Sequence, residues 1–178
     1  MRANITLYAK WTAQSNIAYK VEHYQQSVTG TTYTLTVTDN LVGTTGETVS
    51  VTPRTYTGFT ENTTHPDRVP SGTVLADGSL VLKFYYDRNT HTVSFNSNGG
   101  SAVSPITGVR YGATIGVPIP PTRTGYDFDG WYKEAAHTNP WNFSTDTITA
   151  DITLYAKWDP KSYTVTFNSN GGGTPNPY

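Results

Sequence analysis

The sequence predicts a mainly β chain of two small domains in tandem, with little helix. Three observations carry that prediction. Apolar and polar side chains alternate in short runs such as Ile5-Thr6-Leu7-Tyr8-Ala9-Lys10-Trp11, where Ile5, Leu7, Ala9 and Trp11 share one face. No segment keeps a 3.6-residue apolar period over ten or more residues, so at most short helices are expected. The chain also repeats itself. Asn4–Trp11 returns 147 residues later as Asp151–Trp158, changed only at its first position, and Thr92–Gly100 returns 72 residues later as Thr164–Gly172. Periods that differ by 75 residues require two unlike units.

Residues 1–15 then read as the last strand of a preceding repeat plus a polar linker, Thr12-Ala13-Gln14-Ser15. The first complete unit covers 16–89. Ile17–Tyr24 and Tyr33–Thr38 read as strands, the second with Leu35 and Val37 inward, and Thr48–Thr52 as a further strand after the turn cluster Gly43–Gly46. Asp77-Gly78 between Thr73–Ala76 and Ser79–Tyr86 predicts a hairpin with a type I′ turn, placing Leu80, Leu82, Phe84 and Tyr86 on one face.

The second complete unit covers 90–160. His91–Asn96 is its first strand, with Val93 and Phe95 inward, and Val109–Tyr111 a short one. Pro118, Pro120 and Pro121 forbid a long helix or central strand between Gly112 and Thr124. Gly125–Tyr132 is a strand with aromatics on both faces, which predicts that both faces are covered. Asp151–Trp158 closes the unit. Residues 161–178 open the next repeat with a strand at Tyr163–Asn170.

Composition removes several classes of function. Charged residues are 14% of the chain against a usual ~25%, and the net charge is −1, which gives no basic track for nucleic acid and no anionic-membrane patch. No apolar run is long enough for membrane insertion. Cysteine is absent, so disulfides, thiol catalysis and cysteine metal sites are excluded. His23, His65, His91 and His137 form no metal-binding pair and read as scattered surface or strand residues; Asp127, Asp129 and Asp151 are too dispersed for a calcium loop. No nucleophile elbow accompanies the Ser, His and Asp residues, and Asn98-Gly99-Gly100 lacks the Lys-Ser/Thr of a phosphate loop and reads as a turn. The expectation is no catalytic residue, no metal and no cofactor.

The blocks Thr92–Gly100, Pro121–Tyr132 (with Gly125-Tyr126 and Gly130-Trp131-Tyr132), Trp141-Asn142-Phe143 and Ile152–Trp158 resemble the internalin-type B repeat, also called the Listeria–Bacteroides repeat. The resemblance covers the second unit and both terminal fragments. The first unit resembles a mucin-binding-protein-type (MucBP-like) repeat through Tyr19–Tyr24, Gly43–Gly46, Tyr56-Thr57-Gly58-Phe59 and Gly72–Asn89.

Both resemblances imply small β-grasp-like domains in tandem on surface proteins, mostly of Gram-positive bacteria, and hence an extracellular, cell-surface or cell-wall-attached location. They imply an adhesin stalk, an extended rod of units that holds a distal binding domain away from the cell. Neighbouring repeats are the expected partners within the chain. The alternative is direct binding of host or surface glycans or proteins, with Tyr24 and Tyr85 as the candidate exposed aromatics. The terminal fragments are expected to be disordered, to dock on their own neighbour, or to pair between molecules.

Overall fold

A computed structural model describes residues 4–168 and 170–173. Among these there is no helix; all ten elements are strands. They are β1 (Ile17–Gln26), β2 (Tyr33–Gly43), β3 (Thr48–Ser50), β4 (Phe59–Glu61), β5 (Ser71–Thr73), β6 (Val81–Arg88), β7 (Thr90–Asn96), β8 (Ile106–Arg110), β9 (Tyr126–Tyr132) and β10 (Ile152–Pro160).

The first sheet has the order β2-β1-β6-β4, and β3 pairs with β5 in a separate ribbon. Alternation decides what β1 buries: Ile17, Tyr19 and Val21 turn inward, and His23 follows them to full burial. Leu82, Phe84 and Tyr86 meet them from β6, as their spacing predicted, and Val74 closes the core. Full burial of a side chain such as Leu82 or Phe84 is worth about 1.5–3 kcal/mol over leaving it in water.

The hairpin expected at Asp77-Gly78 does not form. A turn is present, with the Gly78 amide donating to the Leu75 carbonyl at 3.0 Å, but only Gly78 has positive φ there. The Asp77 carboxylate accepts from the Ser79 amide at 3.0 Å. The flanking strands go elsewhere: β5 pairs with β3, while β6 lies between β1 and β4. With both its edges occupied by those two, β6 has none left for its sequence neighbour.

The second sheet has the order β8-β7-β10-β9. Taken from first strand to last, its order repeats that of the first sheet, although the two sequences differ. Val93, Leu154 and Ala156 are fully buried and Trp131 nearly so. The proline-rich stretch between Gly112 and Thr124 carries neither helix nor strand. In β9 the pairing slips between Lys157 and Trp158 of β10, leaving Asp129 as an extra residue beside Gly130 at φ +122°. That bulge brings the rings of Phe128 and Trp131 to 5.5 Å, so these two aromatics pack together instead of on opposite faces.

Residues 4–15 and 161–168 form no strand, and Ile5, Leu7, Trp11, Val165 and Phe167 are exposed. This corrects the strands expected over Ile5–Trp11 and from Tyr163. The identical residues of β10 are held by β7 and β9 on their two edges; without such neighbours, alternation alone does not make a strand. Of the expected terminal pieces 1–15 and 161–178, residues 1–3, 169 and 174–178 lie outside the described residues.

Packing divides the chain into two compact units. One holds the chain through His91 together with Gly108–Thr114 and Thr147–Ala150. The other holds Thr92–Thr107, Ile115–Asp146 and the chain from Asp151.

Candidate functional site

In each sheet the first and last strands are parallel neighbours. Lys20–Gln25 of β1 run beside Val81–Tyr86 of β6, and Val93–Asn96 of β7 beside Ile152–Tyr155 of β10. Parallel neighbours point the same way, so the chain enters each sheet at one end of this ladder and leaves at the other.

On the solvent side of the first sheet, parallel register places Tyr24 beside Tyr85. The rings stack at 4.9 Å. His65 stacks on Tyr85 at 3.7 Å, and Tyr33 meets both Tyr85 and His65 edge-on, at 5.4 and 4.7 Å. The Tyr33 hydroxyl donates to Asp87, which also accepts from Asn62. The structure thus brings the two candidate aromatics together but corrects their exposure. Tyr85 is 7% exposed because its neighbours cover it, and Tyr24 is half-buried. The hydroxyl of Tyr24 donates to Glu22 at 2.6 Å, and this bond chiefly pushes its pKa up to about 12.

His23, read from sequence as one of four scattered histidines, centres a closed polar ring. The Arg54 amide donates to the Tyr86 hydroxyl at 3.1 Å, so that hydroxyl is free to donate to His23 Nδ1 at 2.9 Å. His23 Nε2–H then donates to Asp39 at 3.2 Å, and the Arg54 guanidinium donates to the same carboxylate through Nε at 2.9 Å and through Nη2. Burial lowers the pKa of His23 and raises that of Tyr86 to about 12. The hydrogen bond from Arg54 is the main reason Asp39 sits below the usual carboxylate range. The available signal was position: His23 continues the inward alternation of Ile17, Tyr19 and Val21.

His23, His65 and His137 lie in separate surroundings; the Asn98 side-chain amide donates to His137 Nε2 at 3.2 Å, and His137 meets Tyr132 edge-on. Among the described residues no group of three His, Asp or Glu side chains is placed to hold a metal ion. An open cleft of ≈ 400 Å³ lies beside the ring, lined by Arg54, Tyr56, Phe59 and Tyr86 among others.

The recurring sequence blocks meet in the second sheet. Asn98 and Gly99 both have positive φ, and the Gly100 amide donates to the Ser97 carbonyl at 3.0 Å, which is a tight turn as expected. The Asn98 side chain donates to the Ala156 carbonyl at 2.7 Å, and Trp158 lies against the turn. Arg123 donates to the Asn98 carbonyl at 3.1 Å and covers the ring of Tyr126 at 3.9 Å. The blocks resembling the B repeat are therefore one packed set. Comparison with known families matches this stretch to the Listeria-Bacteroides repeat domain.

Residues 91–157 belong to the Listeria–Bacteroides repeat family. Over 78 residues, 40% of this chain and 14% of the relative, the chain is 40% identical to a protein named internalin H from Listeria monocytogenes. It is 47% identical over 94 residues to a putative Gly-rich membrane protein of Evansella cellulosilytica, covering 53% of the chain and 11% of that protein. A putative membrane protein of the same organism is 32% identical over 174 residues, which is 94% of this chain and 24% of that protein. The chain thus spans a quarter or less of each of these relatives. No helix among the described residues is long and apolar enough to cross a membrane.

Proposed function

We propose that this chain is a non-catalytic, load-bearing segment of a bacterial surface protein, a stalk of β-grasp-like repeats that projects a distal binding domain. One observation carries the reading: both sheets place their first and last strands side by side and parallel. Tension on the ends of such a unit pulls the two strands past each other. Every bond of the ladder then resists together, whereas bonds in a hairpin pulled at its open end break singly. Membership of the Listeria–Bacteroides repeat family and likeness to an internalin support a surface location, with anchoring to the cell wall. The resemblance of 16–89 to MucBP-like repeats supports the same setting. Single-molecule force spectroscopy on the chain tests the proposal: two cooperative, high-force ruptures support it, and low-force gradual extension refutes it.

A second reading has its own observation, the cluster of Tyr24, Tyr33, His65 and Tyr85 on the solvent side of the first sheet. Here that face binds glycans or a protein of the host or of neighbouring cells, with half-buried Tyr24 as the contact. Binding on a glycan array that is lost in Tyr24→Ala supports it. Unchanged binding by that variant, or none by the parent chain, counts against it.

A further inference from the structure

The segment Gly108–Thr114 belongs by sequence to the repeat that starts at His91, but it packs within the first compact unit. Its centre, Arg110-Tyr111-Gly112, meets a surface fitted to each of the three residues. Tyr111 lies flat over Gly58: a Cβ added there would stand 2.3 Å from the ring, and Gly58 also has φ +79°. Only glycine leaves room for the ring in that conformation. Phe59 flanks the same ring at 6.4 Å, and the Arg88 guanidinium covers Phe59 at 4.7 Å.

The backbone of the turn is gripped as well. The Tyr111 amide donates to the Asn89 carbonyl at 2.8 Å, while Asn89 in turn donates to Gly58 at 2.9 Å. Arg88 reaches the Tyr111 carbonyl through Nη1 at 2.9 Å and is itself fixed by donating through Nε to Gln26 at 2.8 Å. A Cβ on Gly112 would stand 3.3 Å from that Arg88 nitrogen. Beside this, the Arg110 guanidinium donates to carbonyls of the segment that follows β1, those of Ser27, Val28 and Gly30. All three contacts are made by one nitrogen, Nη1, whose two hydrogens the three carbonyls share. Ile148, 1% exposed, backs the turn, donating to Ala113 at 2.8 Å and accepting from Gly112 at 2.6 Å.

We propose that the surface formed by Gly58, Phe59, Arg88, Asn89 and the Ser27–Gly30 carbonyls is a docking socket for an Arg-Tyr-Gly turn. In this chain Arg110-Tyr111-Gly112 fills it. A MucBP-like unit of this kind then reaches full stability only when the next repeat supplies such a turn, and the order of repeats in an array is selected by that fit. This goes beyond the load-bearing reading, which needs only the parallel ladders and holds whether or not the socket exists.

Hydrogen exchange on the full chain tests it, comparing the parent with Tyr111→Ala, Tyr111→Phe and Arg110→Gln. The socket predicts that Tyr111→Ala speeds exchange of the Phe59 and Asn89 amides by ~10-fold or more, as expected when a local closure is removed, with Tyr111→Phe near the parent. Arg110→Gln should speed exchange at the Ser27 amide, in the turn whose carbonyls it releases. Faster exchange confined to Ile106–Thr114, with Phe59, Asn89 and Ser27 unchanged, overturns the proposal. Should Tyr111→Ala fail to fold, Gly58→Ala reads the same contact from the other side: faster exchange at the Tyr111 amide supports the socket, and an unchanged rate refutes it.

Discussion

The indole Nε1–H of Trp158 donates to the Ser97 carbonyl at 2.8 Å, and its ring leaves no room for a Cβ on Gly100, which would stand 2.4 Å from Cζ2. This contact explains why two distant sequence blocks recur together: the Asn-Gly-Gly turn and the Ala-Lys-Trp strand end are two halves of one joint. Gly99 supplies the positive φ, and Gly100 supplies the space. Gly100→Ala should cost about 1–3 kcal/mol, the usual range for forcing volume into a packed site. Trp158→Ala should cost about 2–4 kcal/mol, somewhat below the range for a fully buried tryptophan because Trp158 is half-buried. Urea denaturation followed by the fluorescence of Trp131 and Trp141 measures both.

Much of the fold is legible because alternation reports burial directly: Val21, Leu82, Phe84, Val93 and Leu154 all lie where period two puts them. What remained hidden depends on partners far along the chain. Nothing local in Thr73–Tyr86 says that β6 inserts between β1 and β4, so the Asp77-Gly78 turn suggested a hairpin that tertiary pairing overrides. The Asp129 bulge shifts the alternation in β9 midway, and an unbroken period of two misplaces Phe128 relative to Trp131. Ile5–Trp11 makes the same point from the other direction, since the residues that form β10 form no strand there. Of the candidate site, Tyr24 and Tyr85 could be named but not their mutual stacking, and the ring around His23 joins residues too far apart in sequence to suggest one another.

The ring around His23 makes the first sheet sensitive to acid. Burial, the largest cause, holds the pKa of His23 below its ordinary 6.5, against the opposing pull of Asp39. The unfolded chain therefore takes up a proton at a higher pH than the folded one. Stability from the neutral imidazole is complete above about 6.5 and declines as pH falls from there through the folded value. His23→Phe should flatten that decline, and Asp39→Ala should cost about 1–3 kcal/mol by leaving the buried His23 Nε2 without its acceptor. Denaturation between pH 7.5 and 5, read by near-ultraviolet circular dichroism of the tyrosines, checks the slope.

Tyr24 and Tyr85 should part company on truncation. Tyr85 is buried between Tyr24, Tyr33 and His65, so Tyr85→Ala removes stacking on several sides and should cost about 2–4 kcal/mol, toward the low end of aromatic-to-alanine losses. Tyr24→Ala removes one stacked partner and one bond to Glu22, and about 1 kcal/mol is expected from a single aromatic pair. Thermal melts of the two variants test the ranking. Lost ligand binding in Tyr85→Ala would consequently report damage to the sheet, and only Tyr24→Ala separates binding from folding.

The two ladders should also rupture at different forces. Parallel pairing runs from Lys20 to Gln25 against Val81 to Tyr86 in the first sheet, but only from Ile152 to Tyr155 against Val93 to Asn96 in the second. Under shear the bonds of a ladder load together, so the longer ladder should break at the higher force. Cutting one bond in the longer ladder should lower only that peak. Glu22→Pro serves, because proline cannot donate, and its site, opposite Lys83, is interior to the ladder. The Lys20 amide donates across to Leu80, and Glu22, two residues on, turns its amide to the same edge. The Lys83 amide instead donates to Val69 at 2.9 Å, on the other edge of β6, so Lys83→Pro cuts the 69–83 bridge and leaves the ladder's own donors in place. A high-force peak that falls in Glu22→Pro alone locates the resistance in the β1–β6 ladder; a peak that falls in Lys83→Pro alone locates it in the bridge.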